Sequence, residues 1–204
     1  MTPRVTALMA ALVLVLAGCG AESVSSGAGA TKPARADGSL TWGDGGYGVV
    51  LAHGAAFDAA SWQEQAKAIA AQGATVVAVE DISTDGIRAA VDSLHDGGIK
   101  DVALVGGSAG ADAILQLAAE QPDLADQLVL ISPNTVVKGL GTEPKLFIAS
   151  EGEPGADIPR QLLEVSTGPD NRMSLLPGDA HAQNIFDTDQ ARPLLDMILK
   201  RLAT

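Results

Sequence analysis

Asp101-Val102-Ala103-Leu104-Val105-Gly106-Gly107-Ser108-Ala109-Gly110-Ala111 is an apolar run that stops on a Gly-x-Ser-x-Gly pattern and passes at once into the helix-forming stretch 111–120. The order is strand, sharp turn, helix, with a serine at the apex. Glycines suit such a turn because it brings flanking backbones close and forces dihedrals that side chains obstruct. Ser108 then stands exposed above the strand end, with the positive end of the following helix behind it. Its hydroxyl is a candidate nucleophile. The alternative is an ordinary glycine-rich loop, and the partners available to Ser108 decide between the two.

Working outward, short apolar runs alternate with amphipathic ones. Strands are expected at 47–52, 75–79, 102–105, 127–131, 145–149 and 172–176, and Trp42 suits a short leading strand. Helices are expected at 62–71, capped by Ser61 with Glu64 completing a capping box, at 85–94 ahead of Gly97-Gly98, at 111–120 ahead of Pro122, and at 191–202. Strands without polar alternation, separated by helices of about ten residues, indicate a parallel sheet covered on both faces. The expected fold is therefore α/β, a mostly parallel doubly wound sheet of about six strands, with ligands at the carboxyl ends of the strands. The connection 132–144 is too short for a cap domain, so the expected pocket is shallow and open.

The beginning of the chain reads as a sorting signal. Arg4 precedes the continuously apolar run 7–17, which is too short to span a bilayer and suits the hydrophobic region of a secretory signal. Leu16-Ala17-Gly18-Cys19 follows and resembles a bacterial lipobox, in which the cysteine becomes lipid-modified. Cys19 is the only cysteine, so no intramolecular disulfide is possible, and lipidation gives an exported thiol a purpose. The expected organisation is a lipoprotein signal peptide at 1–18, a flexible Ala/Ser/Gly/Pro tether at 19–38 and one folded domain at 39–204. The expected location is the bacterial envelope, with Cys19 anchored in the membrane. The formal net charge is −12, with 13 Lys and Arg against 25 Asp and Glu, which gives no footprint for nucleic acid. No zinc-type or phosphate-binding spacing occurs, so neither a metal nor a cofactor is expected.

A serine hydroxyl needs a base, normally histidine, within hydrogen-bond reach. The chain has three histidines. His95 lies near the end of a charged helix and suits solvent. His53 directly follows a strand and precedes Gly54, where it suits shaping a turn. His181, in Leu176-Pro-Gly-Asp-Ala-His181, lies in a polar loop at the carboxyl edge of the sheet, where a base for Ser108 belongs. The base requires an orienting acid. The strand ending at 149 runs into Ser150-Glu151-Gly152-Glu153-Pro154, which offers Glu151 and Glu153 at the same edge, with Asp157 and Asp179 as alternatives. For a developing oxyanion, the backbone amides of Ala109 and Ala55 are the expected donors.

These elements resemble the α/β-hydrolase superfamily: the elbow around Ser108, the strand end Leu51-Ala52-His53-Gly54, an acid-bearing turn and His181, in the order nucleophile, acid, base. The resemblance covers 47–204 and looks closest to small lidless members similar to dienelactone hydrolases and carboxylesterases. In these the acid sits in a Gly-x-x-Asp turn, which maps onto Ser150-Glu151-Gly152-Glu153 and favours Glu153. Glutamate stands where aspartate is usual and serine where glycine is, and the leading antiparallel strands of the family are nearly absent. The resemblance implies a serine hydrolase of small esters working through an acyl-enzyme. Two alternatives share the fold: a catalytically silent binding protein, betrayed by a misplaced Glu153 or an occluded Ser108, and an acyltransferase with the same triad.

Overall fold

The computed structural model describes residue 1 and residues 37–203. The expected signal peptide, most of the tether and Cys19 lie outside the described residues. Among the described residues seven strands form one sheet: β1 (Leu40–Trp42), β2 (Tyr47–Ala52), β3 (Ala74–Val79), β4 (Val102–Gly107), β5 (Gln127–Ile131), β6 (Lys145–Ser150) and β7 (Arg172–Leu176). Their order is β1-β3-β2-β4-β5-β6-β7. Every neighbouring pair is parallel except β1 and β3. The expected count of about six becomes seven through β1, which places Trp42 in the core, fully buried.

Strand residues alternate between two cores because successive side chains leave a strand on opposite faces. Val49 and Leu51 face a cluster closed by α1 (Gln63–Ala70) and α5 (Ala191–Leu202). Val50 and Ala52 face the other, closed by α2 (Thr84–Asp96), α3 (Ala109–Glu120) and α4 (Ile158–Val165). Both faces of a parallel sheet are thereby covered, which explains why the strands read as unbroken apolar runs. No helix lies between β5 and β6. Val136, Val137 and Leu140 of the connection 132–144 pack on the second core in place of one.

Two expectations about helices need correcting. Ser61 does not cap α1: a 3₁₀ turn already spans Ala59–Trp62, capped by Asp58, whose carboxylate accepts the Ser61 N–H at 3.0 Å, and α1 follows from Trp62 without a side-chain cap. The chain thus turns helical earlier than a Ser61–Glu64 capping box requires. Helix α4 escaped notice because Pro154, Gly155 and Pro159 punctuate that stretch, yet Pro159 sits in the first turn, where a missing N–H costs nothing.

The topology places the site. From β2 the chain moves outward to β3 and then returns past β2 to β4, so the strand order reverses between β2 and β4. Such a switch point opens a crevice at the carboxyl ends. Ala52 pairs with Gly106, Gly107 with Ile131 and Ser150 with Leu176, which aligns the strand ends that carry His53, Ser108, Ser132 and Glu151.

Candidate active site

Ser108 has φ 50° and ψ −117°, a conformation sparsely populated by residues with a Cβ. The glycines around it are a steric necessity. A Cβ on Gly106 would stand 2.7 Å from the Ala111 nitrogen, and one on Gly110 would stand 2.4 Å from the Ala52 carbonyl oxygen. The Ser108 backbone is held from both sides: Ser108 N–H donates to Ile131 O at 2.9 Å, and Asp112 N–H donates to Ser108 O at 3.0 Å. The Ser108 side chain remains partly exposed above the strand ends.

His181 is brought to it from the loop after β7. Its Nε2 is 2.9 Å from Ser108 Oγ, and its Nδ1 is 2.5 Å from Glu153 Oε2. A carboxylate accepts only, so Nδ1 carries the proton and Nε2 presents its lone pair to the serine hydroxyl. The Glu153 side chain is 1% exposed, and its other oxygen accepts from Ser150 N at 2.9 Å and from Ser132 Oγ at 2.8 Å. Three donors therefore surround one buried carboxyl group and fix its orientation. The choice between the two glutamates has a backbone origin. The Glu151 N–H continues the ladder to Leu176 O, leaving that residue exposed, whereas the turn at 151–154 folds Glu153 back beneath His181. Asp157 and Asp179 are also exposed, and Asp157 receives Gln161 instead.

The other histidines lie apart from the serine. His53 is buried, with Nδ1 2.8 Å from Gly54 O and Nε2 3.2 Å from Glu80 O, so it shapes the loop after β2. His95 is exposed in the last turn of α2. Among the described residues no group of three His, Cys, Asp or Glu is placed to hold a metal ion.

Ala109 opens α3, so its amide belongs to the first turn, where N–H groups lack intrahelical acceptors. The loop bearing Ala55 lies against the elbow: a Cβ on Gly54 would be 3.4 Å from the Ser108 Cβ. The Gly54 N–H is already used, donating to Gln183 Oε1 at 2.7 Å.

Five residues around the site carried no sequence signal. Ser132 and Gln183 are buried polar groups bonded to segments far away in the chain. Asp112, in the first turn of α3, accepts from the N–H groups of Asn134 and Thr135, from the Thr135 hydroxyl and from Asn134 Nδ2. These bonds pin the connection 132–144 beside the serine and leave Asn134 Nδ2 3.5 Å from Ser108 Oγ. An open groove of about 620 Å³ runs from Ala109 along α3, bounded by Asp112, Ala113, Gln116, Thr135 and Val137.

No protein-family model matches the chain, and no curated protein matches it. Solved structures do. The monoacylglycerol lipase of Paleococcus ferrophilus superposes with a TM-score of 0.69 at 15% identity, over 81% of this chain and 97% of that one. A structure from the work on LipS and LipT, two metagenome-derived lipolytic enzymes, gives 0.68 at 14% identity, over 80% and 96%. A CIB-like hydrolase of Thermoplasma acidophilum gives 0.65 at 15% identity, over 86% and 98%. At these identities the likeness defines the architecture: the chain has the α/β-hydrolase fold.

Proposed function

We propose that the protein is a serine hydrolase of small esters that works through Ser108, His181 and Glu153. The observation that carries this reading is the continuous hydrogen-bonded line from Ser108 Oγ through both ring nitrogens of His181 to the buried Glu153 carboxylate. As Oγ attacks the ester carbonyl carbon, Nε2 takes the hydroxyl proton, and Glu153 holds the tautomer and stabilises the imidazolium. The oxyanion forms against the amides of Ala109 and Ala55, each such donor being worth about 3 kcal/mol of barrier when preorganised. Collapse expels the alcohol, which receives the proton from His181, and leaves an acyl group on Ser108. Water then attacks the acyl carbon, losing its proton to Nε2, and the acid departs as Oγ is reprotonated.

A catalytically silent scaffold has a displaced acid or a covered serine, and this site has neither: Glu153 meets His181, and Ser108 is partly exposed. Two structural neighbours are described as a monoacylglycerol lipase and as lipolytic enzymes, which fits an ester as the bond attacked. The export signal and the lipobox at Cys19 complete the proposal as a lipid-anchored envelope protein. A fluorophosphonate probe tests the chemistry without knowledge of the substrate. It is expected to label the protein and not Ser108→Ala; equal labelling of the two removes the nucleophile from Ser108.

A further inference from the structure

We propose that Ser132 is a positioning residue of this site, its hydroxyl setting the Glu153 carboxylate against His181. The proposal rests on the hydrolase reading for its kinetic consequences. The carboxyl end of β5 is where the three triad-bearing segments meet. Ile131 O accepts the N–H of the nucleophile, Ser108, at 2.9 Å, and the next residue's N–H donates to Ile148 O of β6 at 2.7 Å. The Ser132 hydroxyl then does two things at once. It donates to Glu153 Oε1 at 2.8 Å and accepts from the N–H of Ala182, the residue after the base, at 2.9 Å. One oxygen therefore ties the acid-bearing turn to the base-bearing loop.

The directions of the two bonds leave no slack. A hydroxyl has a single proton, and here Glu153 takes it, while the lone pairs face Ala182. Ser132 is 2% exposed, so neither bond is exchanged with bulk water; without the hydroxyl, Glu153 Oε1 keeps only the Ser150 N–H and the Ala182 N–H loses its side-chain acceptor. The backbone adds a second sign. Ser132 and Ala182 both have positive φ, 49° and 51°, the region that favours glycine. A serine at 132 keeps this conformation where a glycine would relax it, and what it supplies in return is the hydroxyl. Burial also keeps Ser132 from touching substrate, so its influence passes through Glu153 and His181 alone.

Two variants separate hydroxyl from backbone: Ser132→Ala keeps the Cβ, while Ser132→Gly removes the hydroxyl and relieves the positive φ. With the purified protein, both are expected to lower kcat on p-nitrophenyl acetate and the fluorophosphonate labelling rate roughly tenfold or more at unchanged KM, the size expected when one hydrogen bond to a buried carboxylate is withdrawn. The downfield proton resonance of His181 Nδ1, assigned by its disappearance in His181→Ala, is expected to broaden or vanish in both. Labelling and turnover at wild-type rates in both variants would overturn the role. So would recovery in Ser132→Gly alone, since backbone strain rather than the hydroxyl would then be at issue. If the unmutated protein does not label at all, the hydrolase reading falls instead. The Nδ1 resonance then decides on Ser132 by itself, because it reports the Glu153 contact without turnover: unchanged in both variants, it refutes the positioning.

Discussion

Gln183 Oε1 accepts the N–H of Gly54 at 2.7 Å, so the residue two places after His181 holds the loop that follows β2. The same side chain donates through Nε2 to Ser61 Oγ at 2.6 Å. Trp62, the next residue, meets Phe186 edge-on, with ring centroids 6.0 Å apart. The His181 loop and the loop of the proposed oxyanion donor thus form one packed unit. With the Gly54 N–H committed to Gln183 and the Phe57 N–H to Gly54 O, neither of these amides is free to serve in place of the proposed donor, Ala55.

Gln183→Ala should therefore impair chemistry without touching the triad. It strands the buried Gly54 N–H and frees the Ala55 loop to shift. A displacement of this kind is expected to lower kcat between about tenfold and a hundredfold, with KM much less affected. Steady-state kinetics on an activated ester checks it, and a kcat equal to that of the parent would mean that His53 alone fixes the loop.

The proposed triad makes paired predictions. His181→Ala should cost several orders of magnitude in kcat, because triad members act as a unit, while the exposed His95→Ala changes almost nothing. Glu153→Gln replaces an acceptor with an amide that fails to hold the Nδ1–H tautomer, and a loss of roughly 10⁴ is expected. Glu151→Gln should be silent, being exposed at the end of the β6 ladder. Comparable losses in both glutamate variants would mean that the turn, rather than the Glu153 carboxylate, matters.

The elements that were legible from the sequence have burial patterns that composition displays. β2 and β5 lie where apolar runs end at polar residues, because a strand buried on both faces leaves no room for polar alternation, while β7, a partly buried edge strand, and α5 are marked by their local apolar residues. Ser108 and His181 were readable because a strained elbow and a loop at one sheet edge leave local marks. Residue types and spacing leave Glu151 and Glu153 open as the candidate acid, and only the family resemblance favours Glu153, since the turn that folds Glu153 inward and leaves Glu151 outside depends on the Glu151 N–H reaching Leu176 O across the sheet. Ser132 and Gln183 were invisible for the same reason at longer range. Each is an ordinary polar residue until β5 and the His181 loop are packed together, and no periodicity records a hydrogen bond between distant segments.

Gly110 is a test of the elbow's geometry. Its missing Cβ leaves room for the Ala52 and His53 carbonyl oxygens, which a methyl group would meet at 2.4 and 2.7 Å. Both obstacles are backbone, so α3 or the end of β2 must move. Gly110→Ala is expected to destabilise the fold by about 1–3 kcal/mol, read as a fall of several degrees in Tm, and to reduce labelling of Ser108 in whatever remains folded. An unchanged Tm with full labelling would show that α3 slides freely against β2.

Attachment to the envelope is tested at Cys19. A diacylated cysteine carries enough buried methylenes for stable anchoring. Cell fractionation is expected to find the wild type with membranes and Cys19→Ser in the soluble fraction. If both sediment with membranes alike, lipid attachment through Cys19 is excluded and another contact must hold the protein there.

The openness of the site bears on substrate size. The connection 132–144 is where a covering element would have to arise, and it is fastened instead: Asp112 grips Asn134 and Thr135, and Leu140 is buried in the core. The groove beside Ala109 is open and flanked by Asp112, Gln116 and Thr135 among small residues, so a long acyl chain laid there stays largely in water. Each methylene left unburied forgoes up to about 0.8 kcal/mol of binding. Binding that is equal in ground and transition states would not raise kcat in any case. Esters of roughly two to four acyl carbons should therefore give the highest kcat/KM, with no jump in activity above the micelle concentration. A p-nitrophenyl ester series from acetate to palmitate measures this. A kcat/KM that climbs steadily to the longest chain would require an enclosed apolar channel that the pinned connection and the open groove do not provide.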